Sequence, residues 1–262
     1  MSRYILTTLS SLLLLWAYAQ DTTVLAKVSN ITSFSIDSKG NTFAADDNLS
    51  LYKFDAKGSL ITNVNIKSYG EITSIDCSNP FEIYVYHQDQ NIVVFYDNML
   101  NQRGEIRLND YYYYNVACVA RSFDNHLWVM DLSQYQLIKI NKQGKRLAES
   151  PYLNNITGKK LSPFKMWEQN NDVYLADSTN GVHKFDMYAT YATTYFHPKL
   201  TNALSIKTNL ILVQDTSLLF YNTLLRNPLP LDIHLPANVT LQYYDRHLVY
   251  AIKNRLIRLK MP

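Results

Sequence analysis

The feature that most constrains the fold of this chain is a sequence unit that starts at residue 31 and recurs five more times. In its first copy, residues 31–58, apolar side chains alternate with polar ones in short runs, and Asp, Asn, Ser and Gly separate the runs. Alternation with a period of two is typical of half-buried strands, and the separating residues favour tight turns. Each unit therefore predicts four short antiparallel strands.

Three columns of residues align the copies at a spacing of roughly 40 residues, which is typical of propeller blades. The first column follows each second strand and contains Asp46, His87, Asp131, Asp177, Asp215 and Lys253. The second ends each third strand with Asp55, Asp97, Asn141, Asp186 and Asn222, and Gly58, Gly104 and Gly144 mark the hairpin after three of them. The third, mostly aromatic, contains Phe43, Tyr84, Trp128, Tyr174, Leu212 and Tyr250. Large side chains in this column predict packing in the wedges between neighbouring sheets.

The two ends of the repeat predict how the ring closes. The sixth unit, residues 238–260, has room for only three strands, and residues 22–28 form one spare strand before the first unit. Pairing the two completes the last blade and leaves no open sheet edge. We predict an all-β fold in which residues 21–262 form one six-bladed β-propeller of four-stranded antiparallel blades, with the N-terminal strand closing the last blade.

Residues 1–20 have the composition of an export signal peptide. Arg3 provides the early positive charge, residues 5–16 the apolar segment and Ala17-Tyr18-Ala19 the small-residue cleavage pattern, so the mature chain is expected to start at residue 20 or 21. No later apolar run approaches the roughly 20 residues of a membrane-spanning helix. The chain is predicted to be exported, without a transmembrane segment, to the periplasm or the outer membrane of a bacterium.

The charge of the chain argues against nucleic acid as a partner. The formal net charge is +3, and the basic side chains near the C-terminus alternate with apolar ones, as on a solvated strand. Proteins that bind DNA or RNA instead cluster their basic residues, often with stacking aromatic side chains between them. We therefore expect no nucleic-acid binding.

The first unit carries Ile36-Asp37, then Gly40-Asn41, then residues 43–46, in an order that resembles the repeat of NHL-type propellers, relatives of the calcium-dependent gluconolactonase group. The resemblance implies a propeller over the whole mature chain. Under a lactonase alternative it also implies Ca²⁺ in the central channel, held by carboxylate and amide oxygens. The candidate ligands near the unit starts are Glu71, Asp76, Asn115, Asn202 and Asn238. The signal segment, the 21 Tyr and the low count of 7 Gly also resemble exported propellers of Bacteroidota.

Motifs for nucleophilic, zinc or phosphate chemistry are missing from the sequence. It contains no Gly-x-Ser-x-Gly elbow, no His-Glu-x-x-His and no phosphate-binding loop. The six His residues share no spacing that gathers them on one face. We predict no catalytic residues and no cofactor, and we expect His87 to be a turn residue that hydrogen-bonds like the Asp residues of its column.

Four consecutive tyrosines, Tyr111, Tyr112, Tyr113 and Tyr114, lie between the last strand of unit two and the first strand of unit three. One interpretation is a strand with one pair of rings packed and the other pair capping the surface. The other is a contact patch for a protein partner, because exposed tyrosine offers a large rigid area at low entropic cost. The insertion of residues 151–163 is a second candidate contact, since insertions between units usually project from one face.

The two cysteines, Cys77 and Cys118, fall in the first strands of units two and three. An oxidising compartment permits a disulfide between them. Their offsets from the unit starts differ by an odd number, so regular strands direct the two side chains to opposite faces. A disulfide and two buried free thiols are the two alternatives.

Three functional hypotheses follow. The first is an exported, non-catalytic propeller that acts as a protein-interaction scaffold or as a subunit of a bacterial envelope assembly, such as a secretion apparatus. It is based on predicted export, on the missing motifs and on analogy of fold. The alternatives are a calcium-dependent lactonase-like hydrolase and a module that binds glycan or peptide at the ring mouth.

Overall fold

The structure is a computed structural model that describes residues 20–25, 28–158, 160–237 and 239–261. Its strands form six four-stranded antiparallel sheets, which confirms the predicted six-bladed β-propeller. The predicted signal peptide lies outside the described residues except for residue 20. Within the described ranges, no helix is long and apolar enough to cross a membrane.

The strands follow one another around the ring in chain order. The closing strand is β1 (Gln20–Val24). Blade one contains β2 (Ile31–Ile36), β3 (Thr42–Asp46), β4 (Ser50–Phe54) and β5 (Leu60–Asn65). Blade two contains β6 (Ser74–Asp76), β7 (Glu82–His87), β8 (Ile92–Asp97) and β9 (Gln102–Arg107). Blade three contains β10 (Val116–Arg121), β11 (Leu127–Asp131), β12 (Gln136–Ile140) and β13 (Arg146–Glu149).

A short helix, α1 (Leu153–Thr157), lies in the long insertion between blades three and four. Blade four contains β14 (Pro163–Gln169), β15 (Asp172–Asp177), β16 (Gly181–Asp186) and β17 (Tyr191–Phe196). Blade five contains β18 (Asn202–Ile206), β19 (Asn209–Gln214), β20 (Ser217–Asn222) and β21 (Asn227–His234). Blade six contains β22 (Leu241–Tyr244), β23 (His247–Ile252) and β24 (Arg255–Lys260), together with β1.

Closure of the ring occurs as predicted, through β1. This strand pairs antiparallel with β24, with Gln20 opposite Leu259 and Val24 opposite Arg255. It lies slightly earlier in the chain than predicted, because the chain leaves the sheet at Leu25. The Leu25 side chain is fully buried, and its N–H donates to the Asn254 carbonyl at 2.9 Å.

The core lies in the wedges between successive blades. Phe43 shares a buried cluster with Ile83 of blade two, and Trp128 shares one with Val173 of blade four. The mostly aromatic column is therefore confirmed in blades one to four, where each member packs towards the next blade.

The prediction for this column is wrong by one residue in blades five and six. Leu212 packs back towards Tyr174 of blade four, whereas its neighbour Ile211 packs towards blade six. Tyr250 likewise packs back towards blade five, and Val249 takes its place in the wedge with blade one. The shift arises because the turn between the second and third strands has two residues in these blades, against three or four in the others.

Polar residues of the first column close turns and also hold the preceding connection between blades. Asp177 is fully buried, and its Oδ1 accepts the N–H of Thr179 at 2.9 Å. Its Oδ2 accepts the N–H of Ser162, in the connection from blade three. His87 makes the corresponding contact with a ring nitrogen, because Nδ1 donates to the Glu71 carbonyl at 3.1 Å. The prediction that His87 forms a hydrogen bond is confirmed, but His87 is the last residue of β7 and bonds to the preceding connection, so its prediction as a turn residue is wrong.

The glycine prediction holds at two of its three positions. Gly58 and Gly144 lie in the hairpins before the fourth strand with φ of +85° and +72°, a region that favours glycine. The prediction for Gly104 is wrong, because this residue lies inside β9. Leu100 occupies the hairpin position in blade two, with φ of +62°. The turn is fixed there by Asp97, whose Oδ1 accepts two backbone N–H groups at 2.9 Å.

Candidate functional site

The first strands of the blades line a central cavity of about 390 Å³. This volume lies in the range of small-molecule sites, roughly 300–1,000 Å³. Hydroxyl and aromatic side chains of the wall include Ser33, Ser35, Thr73, Thr201, Thr240, Phe164, Trp167 and Tyr243. The charged side chains of the wall, among the described residues, are Asp76, Lys165 and Glu168.

Lys165, on β14, is partly exposed to this cavity and reaches across two neighbouring blades. Its Nζ donates to Asn202 Oδ1 on β18 at 3.0 Å and to the Leu241 carbonyl on β22 at 3.5 Å. The Trp167 ring centroid lies 5.9 Å from the same atom. Burial lowers the pKa of the Lys165 amine to about 8. No carboxylate in the described ranges lies within ion-pair distance of it.

The two acidic side chains of the wall are occupied by structural hydrogen bonds. Glu168 Oε2 accepts the Ser122 hydroxyl at 2.7 Å and the indole N–H of Trp128. Asp76 Oδ2 accepts the backbone N–H of Arg121 at 2.9 Å. The two carboxylates therefore link the inner strands of blades two, three and four.

The candidate Ca²⁺ ligands do not converge in the structure. Glu71 and Asn115 are exposed on connections between blades. Asp76 binds backbone N–H groups, and the Asn202 amide oxygen accepts the lysine ammonium. Asn238 lies outside the described residues. Among the residues that the structure describes, no three His, Cys, Asp or Glu side chains are grouped to hold a metal ion.

Two histidines are buried in the second and third strands of their blades, away from the cavity. His87 and His183 are fully buried, and burial lowers the pKa of both rings. His183 Nδ1 lies 2.7 Å from Thr194 Oγ1. Neither ring borders the cavity, so both are best described as structural residues.

The tyrosine run forms a tight connection between blades two and three, and not a strand. A 3₁₀ turn covers Leu108–Tyr111, and Tyr112 follows in the left-handed region. Tyr113 is buried, with 4% of its surface exposed, whereas Tyr112 and Tyr114 are 77% and 64% exposed. Tyr111 is 36% exposed. Tyr112 and Tyr114 are thus exposed, Tyr111 is partly covered because its ring packs over Gly144, and Tyr113 anchors the connection.

Both cysteines are free and buried, which is the second of the two alternatives. The Cys77 thiol donates to Ser35 Oγ at 3.1 Å and belongs to the wedge between blades one and two. Cys118 belongs to the wedge between blades three and four. The two side chains therefore leave opposite faces of their strands, and a disulfide between them is not formed. Burial raises the pKa of both thiols.

Sequence reasoning missed Lys165 and two exposed phenylalanines. Phe81 and Phe123 are each 66% exposed on the hairpins between the first and second strands of blades two and three. Lys39 Nζ lies 4.7 Å from the Phe81 ring centroid. The available signal for Lys165 was a lysine inside the mainly apolar run of residues 163–167, which is a position where an unpaired charge is unusual.

Similar solved structures share the fold at low sequence identity. Virginiamycin B lyase from Staphylococcus aureus superposes with a TM-score of 0.67 at 9% identity, over 94% of this chain and 100% of that one. A protein of unknown function from Bacteroides thetaiotaomicron gives 0.64 at 10% identity, over 93% and 76%. PorZ, a surface component of the type-IX secretion system of Porphyromonas gingivalis, gives 0.55 at 12% identity, over 91% of this chain and 33% of that one.

No protein-family model and no curated protein matches this chain in sequence. The structural likenesses therefore establish the six-bladed propeller fold and leave the assignment to an NHL-type or lactonase family as a prediction.

Proposed function

We propose that this protein is an exported, non-catalytic propeller of a bacterial envelope, which binds a protein partner through its tyrosine surface. The tyrosine surface consists of Tyr111, Tyr112 and Tyr114 in the connection between blades two and three. The observation that carries the proposal is the exposure of these rings on a connection that is itself firmly held.

The support beneath the tyrosine surface is a buried hydrogen-bond network. Asn91 Nδ2 donates to the Tyr113 carbonyl and, at 2.7 Å, to Asn109 Oδ1. Leu108 is fully buried, and the Tyr86 hydroxyl donates to the Val116 carbonyl at 3.0 Å. Because the backbone is fixed before any partner arrives, binding costs little ordering entropy.

The exposed rings have the properties of interface anchors. Tyr112 and Tyr114 meet edge to face, with ring centroids 6.3 Å apart. Tyrosine is enriched at binding hot spots because it combines a large rigid ring with a hydroxyl group. The next connection on the same face, around α1, adds Tyr152 and Ile156, which are 54% and 37% exposed.

One of the similar structures supports the same role. PorZ is a surface component of a secretion system, and one third of its chain resembles this propeller. An envelope location also agrees with the signal peptide predicted for residues 1–20, with the mature chain in the periplasm or at the outer membrane. The partner is accordingly an envelope protein.

The test is affinity purification of the tagged mature protein from its native envelope, compared with a Tyr112→Ser/Tyr114→Ser variant. We expect one envelope protein to be recovered stoichiometrically with the wild type and at least tenfold less with the variant, at unchanged melting temperature. Tyr188→Ser is the matched control, because Tyr188 is 69% exposed on a hairpin at the opposite face. Equal recovery with the double variant and the wild type would refute the proposal.

The lactonase-like alternative is less well supported by the channel. A Ca²⁺ site needs six to eight oxygen ligands. Among the described residues, the one candidate amide that faces the cavity is Asn202, which already accepts the ammonium of Lys165, whose positive charge opposes a second cation nearby.

A further inference from the structure

We infer that the central channel is a binding site for a small organic monocarboxylate with an apolar body, anchored by Lys165. This site is separate from the tyrosine surface and does not depend on the proposed partner.

Lys165 has no anionic partner among the described residues. An ammonium has three donors, and in the described part of the chain two of them have acceptors, both uncharged. Lys165 lines the cavity, so a ligand there can reach the ammonium. A carboxylate that entered would supply both the third acceptor and the missing negative charge.

Other shielded lysines of this protein have acidic neighbours. Lys139 pairs with Asp124 at 2.6 Å. Burial lowers the pKa of Lys53, and the nearby Asp37 and Asp97 oppose that lowering. At Lys165 burial is the only cause of the shift. An unpaired ammonium inside a protein is costly, so a counter-ion supplied from solution is the expected compensation.

The walls of the cavity also suit an organic ligand with an apolar body. Phe164, Trp167, Leu204 and Tyr243 supply apolar and aromatic surface beside the lysine. Hydroxyl groups from several inner strands complete the lining. This combination, an apolar cavity with a few placed polar groups, is typical of small-molecule sites.

The charged side chains around the cavity limit the charge of a ligand that can bind there. Lys165 is the one cationic side chain among the described residues of the wall, and Asp76 and Glu168 border the same cavity. A dianion such as a phosphate monoester would find one positive charge and two negative ones. A monocarboxylate adds only one negative charge, which Lys165 can neutralise while Asp76 and Glu168 keep their internal hydrogen bonds, and its body can lie along the aromatic wall.

The test uses phenylacetate and octanoate as probes, with phenylacetamide as the uncharged partner of the first. Ligand-observed NMR titration of the folded wild-type protein should give saturable binding of at least one carboxylate, at least tenfold tighter than the amide. The comparison of acid and amide on the wild type needs no variant, so it is informative even if a channel substitution fails to fold.

Variants then locate the site. Lys165→Met should weaken carboxylate binding at least tenfold, Lys165→Arg should retain most of it, and Lys57→Met, at an exposed hairpin lysine, should have no effect. Absence of saturable binding by either carboxylate, or equal binding by wild type and Lys165→Met, would overturn the inference. Partner recovery through the tyrosine surface should be the same in all these variants.

Discussion

Blades one to four and blades five and six share one strand plan but fill their wedges and close their turns differently. The first group packs Phe43, Tyr84, Trp128 and Tyr174 towards the next blade, whereas the second group uses Ile211 and Val249. In blades one, three and four, a buried Asp side chain accepts N–H groups of the turn after the second strand, and in blade two His87 donates to the preceding connection. In the second, the turns have two residues, with Asp215 and Lys253 in the left-handed region and no buried Asp beside them.

The difference shows where the molecule is rigid. The tyrosine surface lies between blades two and three, and Lys165 lies on blade four. Both candidate sites are therefore in the blades whose wedges are filled by large aromatic side chains. Blades five and six complete the closure, and they supply the uncharged acceptors of Lys165. Functional side chains on well-packed elements are held more accurately than side chains on loosely packed ones.

The largest effect is expected for the aromatic wedge of blade three. Trp128→Ala removes a fully buried ring and leaves the Glu168 carboxylate without its indole donor. The free energy of unfolding should fall by roughly 3–5 kcal/mol. Urea denaturation measures it, and Phe123→Ala, at an exposed ring, is the control with less than about 0.5 kcal/mol. A loss below about 1 kcal/mol would contradict the packing described for this wedge.

A smaller loss is expected when a buried turn carboxylate is removed. Asp177→Ala leaves the N–H groups of Thr179, Asn180 and Ser162 without their acceptor. The expected cost is roughly 2–3 kcal/mol in chemical denaturation. Asp177→Asn keeps one oxygen and should lose about half as much. Equal stability of wild type and Asp177→Ala would show that the buried hydrogen bonds of Asp177 do not stabilise the fold.

The channel lysine gives a pH-dependent prediction. Its pKa is about 8 in the folded protein, against an ordinary value of 10.5, so the unfolded chain binds this proton more tightly. Wild-type stability should therefore rise with pH between these two values. Lys165→Met should be more stable than wild type by roughly 1–2 kcal/mol below pH 8, an amount reduced by partial exposure to the channel.

The difference between the two proteins should disappear by about pH 10.5. Lys165→Met leaves Asn202 Oδ1 satisfied by the Ala203 N–H at 2.9 Å, so this acceptor stays paired, and only the 3.5 Å bond to the Leu241 carbonyl is lost. A stability difference that stays constant from pH 6 to pH 10 would exclude the lowered pKa of Lys165.

The smallest effect is expected in blade six. Lys253 has φ of +54°, so Lys253→Gly should stabilise the protein by about 0.5–1 kcal/mol by relieving left-handed strain. Lys57→Gly is the control, since residue 57 precedes the left-handed position of its hairpin, and it should not stabilise. Thermal and urea unfolding of both variants measure the difference, and destabilisation by Lys253→Gly would contradict the strain in this turn.

The fold was predictable because its determinants are local and repeated. Period-two alternation and Asp-closed turns recur in every one of the first four blades, so the blade count and ring closure follow from the sequence. The alignment failed at Leu212 and Tyr250 because a shorter turn shifts the register of a strand by one residue, which reverses its two faces. The prediction for Gly104 was wrong because Leu100, and not a glycine, adopts the left-handed conformation in the hairpin of blade two.

The candidate sites were less predictable because they depend on contacts between distant residues. The tyrosine run was visible in the sequence, but only the structure separates the buried Tyr113 from its exposed neighbours. Whether Lys165 has a carboxylate partner depends on which side chains of blades five and six face the channel. Cys77 and Cys118 do face opposite wedges, as predicted, but strand parity is not the cause, because a bulge between Val116 and Cys118 turns these two side chains to different wedges.

The central claim is that the tyrosine surface binds an envelope protein, and site-specific photo-crosslinking in native cells tests it most directly. A photoreactive phenylalanine derivative would replace Tyr112 in one strain and Tyr188, at the opposite face, in another. We predict a single crosslinked envelope protein from position 112 and none from position 188. No crosslink from position 112, or the same product from both positions, would contradict the claim.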